Sequence, residues 1–214
     1  MATRTTAPVP RLRGALHAGA LVALVPMAVT LFALAETGGH RVGVSFFIGG
    51  LAAMFGVSAM YHRGRWSPRR KALLQRLDHS TIFLAISGTY TAIAVLVLHG
   101  WQLPTLLAVV WGGTVVGTIL QWLPSPPSRA LSAAVYAIVG WAALLVLPQL
   151  LDGLGSLAFA FVLAGGISYT IGAVVYATKW PNPFPATYGF HEVFHTCTLL
   201  GASFHFTAIL LTLV

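Results

Sequence analysis

Five residues of this 214-residue chain belong to types that together carry out hydrolytic chemistry: Ser58, His62, Asp78, His191 and His195. Three histidines plus a water form the ligand set of an open, catalytic-type zinc site. His191 and His195 stand four positions apart, which on a helix stacks both imidazoles on one face. His62, from a different segment, closes the triangle. Zinc held in this way lowers the pKa of water toward ~7 and makes it a nucleophile at neutral pH. Asp78 has no evident cationic partner among the apolar segments, and it suits a role as acceptor of a hydrogen bond, or of the proton itself, from that water. Ser58 lies four residues before His62, on the same helical face, in reach of Asp78 or of an oxyanion. Taken singly, His62 and Asp78 read rather as interfacial residues facing headgroups, and the histidine pair as bonded to neighbours. Their joint convergence favours a metal.

Residues 191–195 read His-Glu-Val-Phe-His, a literal match to the H-E-x-x-H pattern of zinc proteases. Leu151-Asp152-Gly153 is similar to the aspartate motif of intramembrane site-2 metalloproteases. Topology separates the two: Asp152 is expected on the outer side and the histidines on the inner side, across a hydrocarbon layer about 30 Å thick. The order is also inverted relative to that family. Glu192 points about 100° away from His191 around the helix, and it is not assigned as a base. His205 lies on roughly the same face as His191 but about 21 Å further along a continuous helix, out of reach of the same metal. His17 is expected to border the site. His79 points away from Asp78 toward structural bonds, and His40 and His99 read as solvated loop residues.

The elements that position these groups follow from composition. Hydrophobic residues make up 57% of the chain and charged residues 7%, against roughly 25% charged in soluble domains. A water-soluble globule, a disordered tail and a nucleic-acid-binding domain are disfavoured, despite 12 Lys+Arg against 4 Asp+Glu. The chain reads as an all-α integral membrane protein. Apolar stretches of about 20 residues, the length that spans a bilayer, fall at 15–35, 42–62, 80–98, 104–122, 130–151, 156–178 and 190–213. They predict a seven-transmembrane helix bundle, residues 15–214, behind a short cytoplasmic segment, residues 1–14. The first apolar run exceeds the 7–15 residues of a signal-peptide core and reads as a retained helix. The single cysteine, Cys197, reads as a small buried residue.

Cationic loop residues orient the bundle. Arg4, Arg11, Arg13, Arg63, Arg65, Arg69, Arg70, Lys71, Arg76, Arg129 and Lys179 fall on one side, and Arg41 alone on the other. This asymmetry places the N-terminus in the cytoplasm and the C-terminus outside. In that frame His62 ends the second span, Asp78 opens the third, and His191 and His195 open the seventh, all at one depth near the cytoplasmic face.

Ser58-Ala59-Met60-Tyr61-His62, Leu77-Asp78-His79 leading to Gly88-Thr89-Tyr90-Thr91, and the stretch from Gly165 through Lys179-Trp180-Pro181 to Gly189-Phe190-His191-Glu192-Val193-Phe194-His195 resemble the hemolysin III family. That family is the bacterial branch of the progestin and adipoQ receptor (PAQR) superfamily. The resemblance implies a seven-helix bundle in the bacterial plasma membrane with a cytoplasmic N-terminus. It also implies zinc on residues matching His62, His191 and His195, with Asp78 near the bound water. The superfamily has been grouped with alkaline ceramidases as membrane hydrolases, hemolysin III proteins are described as pore-forming cytolysins, and related members are linked to membrane-lipid homeostasis. Two positions depart from the pattern: Arg13-Gly14 stand where an acidic residue and Asn are expected before His17, and Ala92 where Pro commonly follows the Thr-Tyr-Thr run.

The expected function is therefore a zinc-dependent hydrolase of a lipid amide or ester, with His62, His191 and His195 as ligands, Asp78 handling the water and Ser58 supporting it. The alternative is a non-enzymatic pore-forming cytolysin or lipid-sensing receptor with structural zinc.

Overall fold

A computed structural model describes residues 10–214; Arg4, one of the cations expected on the inner side, lies outside them. The described chain is helical almost throughout, with one isolated bridge between Phe184 and Tyr188 and no strand. Its elements are α1 (Ala15–Leu34), α2 (Gly38–Arg63), α3 (Pro68–Val97), α4 (Gln102–Trp122), α5 (Arg129–Gly140), a 3-10 turn (Ala142–Val146), α6 (Leu147–Thr178) and α7 (Phe190–Leu213). Six helical runs are long and apolar enough to cross a membrane, with Arg129–Thr178 counted as one run of 50 residues. The chain is a multi-pass membrane protein.

That fifth run is not one straight rod. Trp141 leaves the helical region at φ −97° and ψ 13°, and Gly155, within α6, sits at φ 71° and ψ 167°. Only glycine adopts such a backbone freely, so the chain changes direction there. The apolar runs 130–151 and 156–178 fall on either side of this break. Asp152 and Gly153, expected in a loop, belong to the helical piece before it. The Cβ position of Gly153 lies 2.7 Å from the Val97 side chain, at the C-terminal end of α3.

The third helix departs most from the hydropathy reading. It starts at Pro68, well before residue 80, and absorbs most of the basic stretch expected as a loop. Pro68 occupies the first helical turn, where its missing N–H costs nothing, and the Arg, Lys and Leu residues that follow are good helix formers. Asp78 therefore sits roughly three turns inside α3 rather than at its opening.

With two-thirds of its most apolar window buried, α3 is the central post of the bundle. Gly88 lets α2 come against it, because a Cβ there would overlap the Phe46 carbonyl oxygen. Small residues permit such approach between helices in membranes, where hydrophobic driving force between helices is absent. Polar side chains bind α3 to its other neighbours. Ser87 donates to the Val110 carbonyl (3.0 Å), Trp111 donates to Thr91 (3.1 Å), and the Tyr90 hydroxyl donates to the Gly140 carbonyl (2.7 Å) while accepting from Ala143 N–H (2.9 Å).

Candidate metal centre

Two helices from distant parts of the chain bring the histidines together. His62 lies in the last turn of α2, and His191 and His195 occupy the first two turns of α7. The Nε2 atoms of His62 and His191 face each other at 3.0 Å, and one ligand nitrogen from each of the three histidines falls within 4.8 Å of the others. Nitrogens at 2.0–2.1 Å from a tetrahedral metal stand about 3.3 Å apart, so the observed spacing brackets a metal tripod. The donor chemistry agrees. Two imidazole nitrogens directed at one another leave at least one lone pair without a proton, and His195 Nδ1 is buried with no hydrogen-bond partner. The described residues thus contain a three-histidine cluster able to hold a metal ion.

Asp78 approaches from α3 with its Oδ2 3.8 Å from His62 Nε2, and Ser58, one turn before His62, faces its carboxyl. Both are buried. The five residues singled out in the sequence therefore occupy one site. His79, next to Asp78, turns away as expected: its Nδ1 pairs with Gln121 Oε1 and its Nε2 with the Tyr176 hydroxyl, each at 3.3 Å.

His17 takes a closer part than its spacing suggests. Its ring stacks on His195 at a centroid distance of 3.8 Å with the planes 11° apart, and neither of its nitrogens has a partner. The start of α1 reaches this position through Gly14, whose φ of 75° opens the helix and whose missing Cβ would lie 2.8 Å from His62 Cβ.

Glu192 is consumed structurally. Its Oε1 accepts from Arg13 Nε at 2.5 Å and its Oε2 from Gly189 N–H at 2.9 Å, closing the N-terminus of α7 in the manner of a capping box. Both carboxylate oxygens are thus engaged in holding the start of α7. The segment before α1 is tied to the same place by Arg11 N–H to the Ala186 carbonyl (3.1 Å) and Leu12 N–H to the Thr187 carbonyl (3.3 Å). No motif or spacing in the sequence announces this tie. Its only trace there is an Arg13 in place of the expected acidic residue, together with an acid in an apolar segment.

From the histidines a cavity of about 160 Å³ extends between α3, α5, α6 and α7. Ser58, Asp78, His191 and His195 line one end, aliphatic and aromatic side chains such as Ile86, Phe159 and Leu163 line its length, and His205 lines it further along α7. Asp152 is remote, grouped with Leu98, His99 and Gln149 beyond the C-terminal end of α3.

A bundle of apolar helices with a half-buried three-histidine cluster beside an aspartate defines a class of membrane protein, and the sequence comparisons define its family. The model of Haemolysin-III related proteins matches residues 6–206, and the chain belongs to that family, within the PAQR superfamily. It is 28% identical over 195 residues to Hemolysin-3 of Bacillus cereus, covering 90% of this chain and 85% of that protein. It is 30% identical over 142 residues to the Hemolysin-3 homolog of Bacillus subtilis (strain 168), covering 66% and 64%. Progestin and adipoQ receptor-like protein 1 of Caenorhabditis elegans is 26% identical over 189 residues, covering 79% of this chain and 43% of that protein.

Proposed function

We propose that this protein is a zinc-dependent hydrolase that cleaves an amide or ester bond of a membrane lipid and so serves membrane-lipid homeostasis. The observation that carries the reading is the placement of the three-histidine cluster and Asp78 together at one end of an elongated apolar cavity. His62, His191 and His195 hold the metal in this reading. Zinc bound there supplies Lewis-acid chemistry, polarising the scissile carbonyl and acidifying water.

The remaining work falls to the chain. The apolar cavity wall takes up the acyl chain and keeps bulk water from the carbonyl. Asp78 accepts a proton as the water oxygen attacks the carbonyl carbon. It returns that proton to the departing amine or alcohol when the C–N or C–O bond breaks. Ser58 holds the Asp78 carboxyl in place. The largely apolar lining of the cavity supports lipid occupancy over aqueous conduction.

In the same reading the run Arg129–Thr178 crosses the bilayer twice, on either side of Gly155, giving seven spans. The excess of cations at one end supports a cytoplasmic N-terminal segment, residues 1–14, with the metal centre at the same face.

The test is metal analysis of purified wild type and His191→Ala, followed by product detection across a panel of lipid amides and esters. Near-stoichiometric zinc that His191→Ala abolishes, with turnover that Asp78→Ala abolishes at unchanged zinc content, supports the proposal. Absence of stoichiometric metal, or turnover insensitive to Asp78→Ala, overturns it.

A further inference from the structure

From the geometry of the cavity's far end we infer a second, polar subsite there, in which Tyr169 and His205 hydrogen-bond a hydroxyl group on the chain of the bound lipid. The inference rests on the reading of the cavity as a lipid site and names the kind of lipid. His205 lies fourteen positions beyond His191 on α7, about 21 Å along the helix, and Tyr169 faces it from α6 with ring centroids 5.5 Å apart. Both line the cavity.

The hydrogen-bond accounting sets these two apart. Away from His17 and the histidine cluster, other polar side chains along the cavity are already engaged: Thr89 with the Ala85 carbonyl (2.8 Å), Tyr90 with the Gly140 carbonyl (2.7 Å), Trp141 with Thr170 (3.0 Å) and Thr198 with the Phe194 carbonyl (3.0 Å). The Tyr169 hydroxyl has no partner among the described residues. His205 Nε2 meets the Val162 carbonyl at 3.1 Å. A carbonyl only accepts, so Nε2 carries the proton and Nδ1 is a bare acceptor. That Nδ1 is buried and unpartnered, a rare condition for a polar atom in a folded protein.

Both rings are seated firmly. A Cβ at Gly165 would overlap the His205 ring at Nε2, and one at Gly201 would lie 2.7 Å from Tyr169 Cε2. Each glycine admits the ring of the opposite helix against its backbone. Together they offer one donor, the Tyr169 O–H, and one acceptor, His205 Nδ1. A hydroxyl group complements both at once. A methyl terminus leaves both unmet, and a carboxylate has no proton for Nδ1.

The test compares binding of a long-chain fatty acid bearing a terminal hydroxyl with its unhydroxylated counterpart, by displacement of a fluorescent fatty acid from purified protein in detergent. Wild type should bind the hydroxylated form about tenfold more tightly. Tyr169→Phe, which removes one oxygen and keeps the ring, and His205→Phe should each erase that preference without lowering affinity for the plain fatty acid. Equal binding of the two by wild type, as an ordered water in the subsite would produce, or a preference surviving Tyr169→Phe, overturns the subsite and leaves the lipid reading standing. Failure of either fatty acid to displace the probe overturns both.

Discussion

Arg13 and Glu192, 179 positions apart in the chain, meet at 2.5 Å with the carboxylate fully buried and its second oxygen capping α7. His191 lies beside Glu192, so the pair fixes the turn of helix that presents this member of the histidine cluster. Removing one partner of a buried pair strands the other charge, at a cost of about 3 kcal/mol. Arg13→Ala should therefore destabilise the protein by about that amount. The double variant Arg13→Ala/Glu192→Gln should be less destabilised than the single one, because no carboxylate is left unpaired. Chemical unfolding of both in detergent measures the difference, and a double variant weaker than Arg13→Ala would contradict the assignment.

The stack of His17 on His195 makes a separate prediction. His17→Phe preserves a flat ring at 3.8 Å and should retain metal content, whereas His17→Ala removes the wall that orients His195. Losses of this kind, in groups that orient a ligand, run at about 10–100-fold in metal affinity. Competition with a chelator of known affinity distinguishes the two variants. Equal loss in both would show that a nitrogen of His17, not its ring face, is what the site requires.

Asp78→Asn keeps the shape of the side chain and removes its capacity to take a proton. Turnover on whichever lipid the wild type cleaves should fall by about 10²–10⁴-fold, with zinc content unchanged by elemental analysis. Parallel loss of metal would move Asp78 from proton transfer to metal retention.

Close packing of α2 on α3 is testable at Gly88, where an added methyl group would overlap the Phe46 carbonyl oxygen. Gly88→Ala should cost about 1–3 kcal/mol by overpacking. Gly112, on α4, has no neighbouring atom within 4 Å of its Cβ position, so Gly112→Ala should be neutral or gain up to about 1 kcal/mol of helix stability. Thermal midpoints in detergent should fall in the order Gly112→Ala, wild type, Gly88→Ala.

Orientation is open to direct measurement. A phosphatase or fluorescent-protein reporter fused ahead of Met1 should report the cytoplasm, and one fused after Val214 the opposite side. Both termini on one side would require an even number of crossings and a single passage of Arg129–Thr178.

Much of this architecture is written in the residues. The apolar runs locate the helices because a bilayer imposes a fixed apolar length on what crosses it. The site is legible because few ionisable groups tolerate such surroundings, so His62, Asp78, His191 and His195 stand out against an apolar background. Three features are not legible. The start of α3 is hidden because hydropathy responds to the hydrocarbon layer, while helix propensity continues through Arg69, Arg70 and Lys71. The Arg13–Glu192 pair is hidden because no local spacing connects two residues at opposite ends of the chain. The turn-like dipeptide Asp152-Gly153 draws the expected break to itself, whereas the left-handed residue is Gly155. Both positions carry glycine, but Gly153 packs against Val97 within the helix and Gly155 takes the positive φ.

The tie between the segment before α1 and the loop before α7 makes completion of the histidine cluster a late event in biosynthesis. His62 leaves the ribosome long before His191, which follows it by 129 positions, and Arg13 waits longer still for Glu192. A nascent chain halted anywhere before α7 has one histidine of the cluster, an unpaired Arg13 and no α7 to hold the start of α1 in place. The three-histidine cluster is therefore complete only once the last helix is in place.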